Sequence, residues 1–327
     1  MPATLTIAIP TYNRADKLER LLKILDGELA AEPLRHRVRV LVGDNASSDQ
    51  TPAVCERMGR GALALRCIRH PENLRFDGNL RALYRAADTD YVWFFGDDDL
   101  PLAGAVARVL DAIDRASPDI VLSSFVQPLG STARQFDFAE PLHLERDPRR
   151  IARHVVKYTK LSIYTLRRLD FSDAEWRHID RVMEMGWMYI ALAFAVLERS
   201  SRPSVAIYSE PLASCDEDVD QIAYVPIALL HMDVPVNTPF VHRHEPGLVR
   251  EFADFGYRAV VRWCLGAKFG TIVPADMASY DAFIRKLPIR PRPLLRSPRT
   301  LAQLALLKLG LTHLWPSRGA RARRRRA

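Results

Sequence analysis

The sequence predicts an α/β fold, a mainly parallel sheet with helices on both faces. Two patterns carry that prediction. Apolar, β-rich runs alternate with segments of helical period from Leu5 to Phe125, the order produced when a helix returns the chain to the sheet after each strand. The run Tyr91 to Phe95 is apolar at every position, which suits a strand covered on both sides. With 327 residues, 48% hydrophobic and 26% charged, the chain has a globular composition and the length of one large or two modest domains. Disorder, collagen-like repeats and a disulfide-stapled miniprotein are excluded.

Leu5 to Ile9 is the first expected strand. A helix follows from about Ala15, because Leu18, Leu21, Leu22 and Leu25 recur at helical spacing. Val38 to Val42 is the second strand, and Asp49 or Thr51 suits the cap of a helix containing Val54 and Met58. Leu63 to Ile68 forms the third strand, Asp77 to Ala87 a helix through Leu80, Leu83 and Tyr84, and Tyr91 to Phe95 the fourth strand. A helix over Leu102 to Ala116 and a strand over Ile120 to Phe125 follow, after which Gln127 to about Asp147 is irregular. Met185 to Leu197, the longest uncharged apolar stretch, is well short of the roughly 20 residues a bilayer requires, so no membrane span is expected.

Met1 to Pro10 has no charged start, apolar run and cleavage site of an export signal. Cys55, Cys67, Cys215 and Cys264 form no close pair along the chain, which points away from a zinc knuckle or redox pair and suits a reducing cytosol. Charge is uneven. Ala282 to Ala327 holds 13 of the 47 basic residues and no acid, leaving 34 bases against 39 acids upstream. The tail therefore seeks an anionic partner. Its leucines, Trp315 and the closing Arg323 to Arg326 suit a helix lying in an anionic lipid interface better than a reader of nucleic acid; a docking helix with a loose basic end is the plainer alternative.

In open α/β sheets ligands bind beyond the carboxyl ends of the strands. Here the first strand runs into Pro10, Thr11, Tyr12, Asn13 and Arg14, the second into Gly43, Asp44 and Asn45, and the fourth into Gly96, Asp97, Asp98 and Asp99. No G-x-G-x-x-G or P-loop pattern follows the first strand. Three consecutive carboxylates repel one another, and a hard divalent cation relieves that repulsion. If strand alternation persists, Asp97 and Asp99 share a side and could meet one metal completed by diphosphate oxygens, with Asp98 pointing away. Alternatively Asp99 or Leu100 caps the next helix and the other acids are solvated. Asp44 could accept from a base or ribose, Thr11 and Tyr12 could contact a base, and Arg75 could neutralise phosphate. A simple turn, a packed aromatic and a surface arginine are the respective alternatives.

Over about Leu5 to Phe125 these residues resemble glycosyltransferase family 2, whose fold is GT-A, a Rossmann-like sheet. Ile9-Pro10-Thr11-Tyr12-Asn13-Arg14 is similar to the family's P-T-Y-N-R opening, Gly43 to Thr51 to its D-[DN]-x-S-x-D-x-T, and Gly96-Asp97-Asp98-Asp99 to its D-x-D. Asn73-Leu74-Arg75-Phe76-Asp77-Gly78-Asn79 resembles the N-x-G-x-x-x-N stretch of the abequosyltransferase-like branch, which acts on bacterial surface polysaccharides, with Arg75 where that branch commonly has glycine. The resemblance implies inverting transfer of a hexosyl or deoxyhexosyl group from a nucleotide-diphosphate sugar donor to a glycan acceptor. It implies Pro10 to Arg14, Asp44, Arg75, Asn79, Asp97 and Asp98 around the donor, and Asp97 and Asp99 around Mg²⁺ or Mn²⁺. The family often places its base just before an acceptor-side helix, so Glu184 is the first candidate for general base and Asp180 the second. The acidic loop Asp216, Glu217, Asp218 and Asp220 is a further source, and Glu184 could instead cap the helix. His242 and His244 are candidates for a metal or diphosphate contact, or belong to a surface turn.

The expected organisation is a catalytic domain over 1–224, with donor half 1–126 and acceptor half 127–224, then an accessory helical segment over 225–284 and a basic amphipathic tail over 285–327. The tail would hold the protein on the cytoplasmic face of a membrane, near a lipid-linked acceptor. A non-catalytic nucleotide- or glycan-binding assembly protein on the same scaffold is the competing function.

Overall fold

A computed structural model describes residues 2–30, 32–61, 63–126, 134–215 and 231–268, together with 302 and 305. The acidic loop from Asp216 to Asp220 and the basic tail lie outside the described residues, except for positions 302 and 305. The chain divides into two compact units, Met1–Asp220 with Pro235–Leu248, and Gln221–Val234 with Val249–Ala327.

The first unit is built on one mixed sheet. Strands β1 (Leu5–Thr11), β2 (Val38–Asp44), β3 (Leu65–Arg69) and β4 (Tyr91–Phe94) run parallel in the order β3-β2-β1-β4. Beyond β4 the sheet departs from the expected parallel pattern. Strand β8 (Thr165–Arg167) lies antiparallel to β4 and to β6 (Ile120–Val126), and β6 pairs in parallel with β9 (Val205–Cys215). Strands β5 (Asp99–Pro101) and β7 (Leu142–Glu145) add antiparallel to β9. Both faces of the parallel half are covered, since every residue of β1 and of β4 is buried although successive side chains point to opposite faces.

Helices α1 (Ala15–Glu28) and α3 (Thr51–Gly59) pack together, and α4 (Arg75–Ala86) lies on β1 and β2. A one-turn helix α2 covers Glu32–Arg35. The stripe Leu18, Leu21, Leu22 and Leu25 of α1 is fully buried, worth about 2 kcal/mol per side chain. Helix α3 has no side-chain cap at Gln50; the expected cap, Asp49, accepts from the Thr51 N–H at 3.0 Å and from the Ala15 N–H at 3.0 Å. One carboxylate thus serves the starts of two helices.

The helix expected from Leu102 begins later, as α5 (Ala105–Ala116), after Gly104 at φ 75°. The left-handed turn separates it from β5, so Asp99 and Leu100 cap nothing. Further on come α6 (Pro148–Lys157), α7 (Asp173–Ile179) and α8 (Met188–Arg199), with 3₁₀ turns at Leu161–Ile163 and Asp180–Val182. Two further helices cover Pro239–His244 and Gly247–Lys268. Among the described residues no helix is long and apolar enough to cross a membrane. Cys55 on α3 and Cys67 on β3, distant in sequence, are brought together: Cys55 hydrogen-bonds Cys67, which pushes the Cys55 thiol up and lowers that of Cys67.

Candidate active site

The carboxyl ends of β1, β2 and β4 bring the three polar loops to one rim. Thr11 and Asp44 are register partners, and the Asn45 N–H donates to the Thr11 carbonyl at 3.0 Å. Thr11 Oγ1 donates to Asp97 Oδ2 at 2.7 Å, while Arg14 Nη1 reaches Asp97 Oδ1 at 2.9 Å and Asp98 Oδ2 at 3.1 Å. Asn13, at φ 53°, accepts from the Ser48 N–H at 2.8 Å and donates its own N–H to Ser47 Oγ at 2.9 Å. Thus Thr11 and Arg14 serve the aspartates, and Asn13 locks one loop to the next. Tyr12 is exposed. Pro10 is buried within β1 opposite Gly43.

Asp44 is fully buried. Its Oδ1 accepts from the Ser47 N–H at 2.9 Å, whereas Oδ2 receives no hydrogen bond and faces Arg69 Nε at 3.6 Å. A buried acceptor left unmet is costly, and a ligand donor would satisfy it. Asn79, expected around the donor, is hydrogen-bonded to this loop. Its Nδ2 donates to the Gly43 carbonyl at 2.8 Å and its Oδ1 lies 3.0 Å from His70 Nε2. The fit is tight, because a Cβ at position 43 would stand 2.2 Å from Asn79 Oδ1.

The aspartates do not continue as a strand. The Asp99 N–H donates to the Gly96 carbonyl at 3.1 Å, a turn that abolishes strand alternation. Asp97 and Asp98 consequently converge on Arg14, and Asp99 is held apart by Lys160 Nζ, 2.9 Å from Oδ1, and by Ser162 Oγ on Oδ2. Burial pushes Asp97 up to about 6 against the pull of Arg14, and burial raises Asp99 against the pull of Lys160.

Three acids against two cations leave one negative charge. Among the described residues no three His, Cys, Asp or Glu side chains gather as a full metal cage. Magnesium-like ions seldom need one, taking one or two carboxylates plus phosphate oxygens and water. Asp97 and Asp99 are oxygen donors of that kind, but each is already engaged, Asp97 by Thr11 and Arg14 and Asp99 by Ser162 and Lys160.

Arg75 opens α4 at φ 59°, the left-handed region that explains why glycine is common at this place in the resembling branch. A non-glycine residue there costs about 1 kcal/mol. Its Nε stands 3.4 Å from Glu184 Oε1, and Glu184 is itself left-handed, at φ 66°. Both side chains are exposed. Asp180 lies elsewhere, paired with Arg81 at 3.0 Å. Arg81 follows Arg75 by six residues, about 9 Å along the helix. Glu184 is therefore the acid beside the α4 entry. It caps no helix: that role falls to Asp77, which accepts from the Gly186 N–H at 2.7 Å and the Met188 N–H at 3.0 Å at the start of α8. His242 bonds Asn237 Oδ1 at 2.7 Å and His244 packs on Phe240.

Asp77, Lys160 and Ser162 escaped sequence reasoning because each acts on a partner at least 60 residues away. Burial pushes Asp77 up to about 6, with the backbone donors pulling the other way. Between about pH 4 and 6 the folded chain holds a proton that the unfolded chain has released, so this contribution to stability is full below that window and declines through it. Asp77→Asn should flatten the fall in stability between pH 4 and 7 by about 2 kcal/mol. Urea unfolding at several pH values checks this, and an unchanged slope would reject it.

Residues 6–166 match the family described as Glycosyl transferase family 2. Over 120 residues the chain is 32% identical to abequosyltransferase RfbV of Salmonella typhimurium, covering 36% of this chain and 34% of that protein. The chain thus spans about a third of the length of that curated relative. Among solved structures it resembles S. aureus TarS 1–349 in complex with UDP-GlcNAc, with TM-score 0.61 and 15% identity, covering 94% of this chain and 89% of that one. It also resembles the mannosyltransferase PcManGT from Pyrobaculum calidifontis in complex with GDP-Man and Mn²⁺, with TM-score 0.53 and 18% identity, covering 94% and 88%. At those identities the likeness establishes the fold, GT-A. The rim motifs and the match over residues 6–166 lead to one conclusion: those residues form a glycosyltransferase family 2 domain.

Proposed function

We propose that the protein is an inverting glycosyltransferase that moves a hexosyl or deoxyhexosyl group from a nucleoside diphosphate to a glycan acceptor. The observation that carries this reading is the rim itself, where Thr11, Asp44 and the Asp97–Asp99 turn meet and buried Asp44 Oδ2 receives no hydrogen bond from the described residues, with Arg69 Nε 3.6 Å away. Asp44 would accept from the base or ribose, and Arg14 would keep Asp97 and Asp98 together beside the diphosphate. Asp97 and Asp99 would hold a divalent ion, Mg²⁺ or Mn²⁺, which when bound would supply positive charge to stabilise the departing diphosphate.

Glu184 would accept the proton of the acceptor hydroxyl as its oxygen bonds the anomeric carbon. The bond from that carbon to the phosphate oxygen breaks on the opposite face, and its electron pair leaves with the diphosphate. One carboxylate suffices for such a displacement. The PcManGT complex with GDP-Man and Mn²⁺ supports donor and ion by analogy of fold. For the present protein the acceptor would be a lipid-linked glycan, reached from the cytoplasmic face of a membrane through the basic tail, residues 285–327.

Nucleoside diphosphates tested by thermal shift with and without Mn²⁺ decide whether the rim is a donor pocket. At least one should raise the melting temperature, and Asp44→Asn should weaken its binding about tenfold, as expected when a charge-assisted bond becomes neutral. No shift from any nucleoside diphosphate would sink the reading. Binding without transfer to any acceptor would favour the assembly protein.

A further inference from the structure

One short segment holds Asp99 from both sides. Ser162 Oγ donates to Asp99 Oδ2 and accepts from the Gly96 N–H at 2.9 Å, and the Ser162 carbonyl accepts from Trp93 Nε1 at 2.9 Å. Two residues earlier, Lys160 Nζ lies 2.9 Å from Asp99 Oδ1, 3.8 Å from Cys215 Sγ and 5.0 Å over the Phe125 ring. Asp99 is 1% exposed. The ammonium therefore sits on the only Asp99 oxygen that Ser162 leaves open. Arg14 performs the same service for Asp97 and Asp98 from another element.

A lysine and a divalent ion cannot share that oxygen without strong repulsion in so dry a place. A displaced ammonium also needs a new anion, and the diphosphate of an incoming donor is one. We propose that Lys160 is the resident counter-ion of Asp99, the cation that a divalent ion must displace, and that this exchange makes tight metal binding depend on the donor. The proposal rests on the metal-assisted reading of the donor site. Lys160 is on this account a positioning residue that sets when the ion can bind.

The test uses Mn²⁺ alone, titrated into the full chain and followed by electron paramagnetic resonance of the free ion. Lys160→Gln keeps a donor for Asp99 but removes the charge, and should bind Mn²⁺ about tenfold more tightly than the unmodified protein, equivalent to about 1.4 kcal/mol. Lys160→Met, which retains an apolar stem against Phe125, provides the second variant. Mn²⁺ should also raise the melting temperature of each variant by more than it raises that of the unmodified protein, a readout that needs no turnover. Equal or weaker Mn²⁺ binding in both folded variants would overturn the role of Lys160 and leave the donor site standing. Absence of Mn²⁺ binding from all three proteins, with nucleoside diphosphate still bound, would remove the ion from the donor site and the exchange with it.

Discussion

Asp99→Ala is expected to lower kcat/KM for sugar transfer by about 10³-fold, the usual effect of losing one preorganised stabiliser of developing charge. The same change strips Lys160 of its partner. Lys160 is half-buried, and a cation left there without its partner costs about 1 kcal/mol of stability, so the single variant should also melt earlier. The double variant Asp99→Ala/Lys160→Met removes both charges and should regain most of that stability without regaining turnover. Steady-state kinetics and thermal melts on the two proteins separate chemistry from folding. Near-normal turnover in the double variant would show that Asp99 serves only to hold Lys160, and the donor site would have to be sought elsewhere.

Glu184→Gln should reduce kcat by about 10²- to 10⁴-fold with little change in KM for the donor, because the amide cannot take the proton of the acceptor hydroxyl. Asp180→Asn should leave kcat almost unchanged, since Asp180 is committed to Arg81 on the flank of α4. The contrast discriminates well, as the two acids are four residues apart in sequence and only Glu184 stands beside the entry of α4. Transfer to a soluble acceptor is the assay. If Asp180→Asn proved the more damaging of the two, the assignment of the base would be reversed.

Most of the donor half was readable before any coordinates. Strands β1 to β4 and β6 announce themselves through apolar runs, and Leu18 to Leu25 mark the buried stripe of α1. Reading failed where short-range pattern and long-range pairing disagree. Asp99-Leu100-Pro101 looks like a helix start, yet it pairs with Ala213 to Cys215. Thr165–Arg167 is too short to register as a strand and exists because β4 and β6 lie on either side of it. Asn79 belongs to a recognisable motif, but its use in securing Gly43 depends on how α4 crosses β2.

By itself, the sequence determined the alternation of strand and helix, the three loops that end at one rim and the residue types those loops carry. These follow from local periodicity and from the rule that strands in such a sheet point their carboxyl ends the same way. Only the tertiary structure decided which acids act together. Whether Asp97 leans on Arg14, Asp99 on Lys160, Asp77 on the start of α8 or Glu184 on Arg75 depends on contacts between segments far apart in the chain. A buried carboxylate takes its chemistry from the nearest charge and donor, and packing chooses those neighbours.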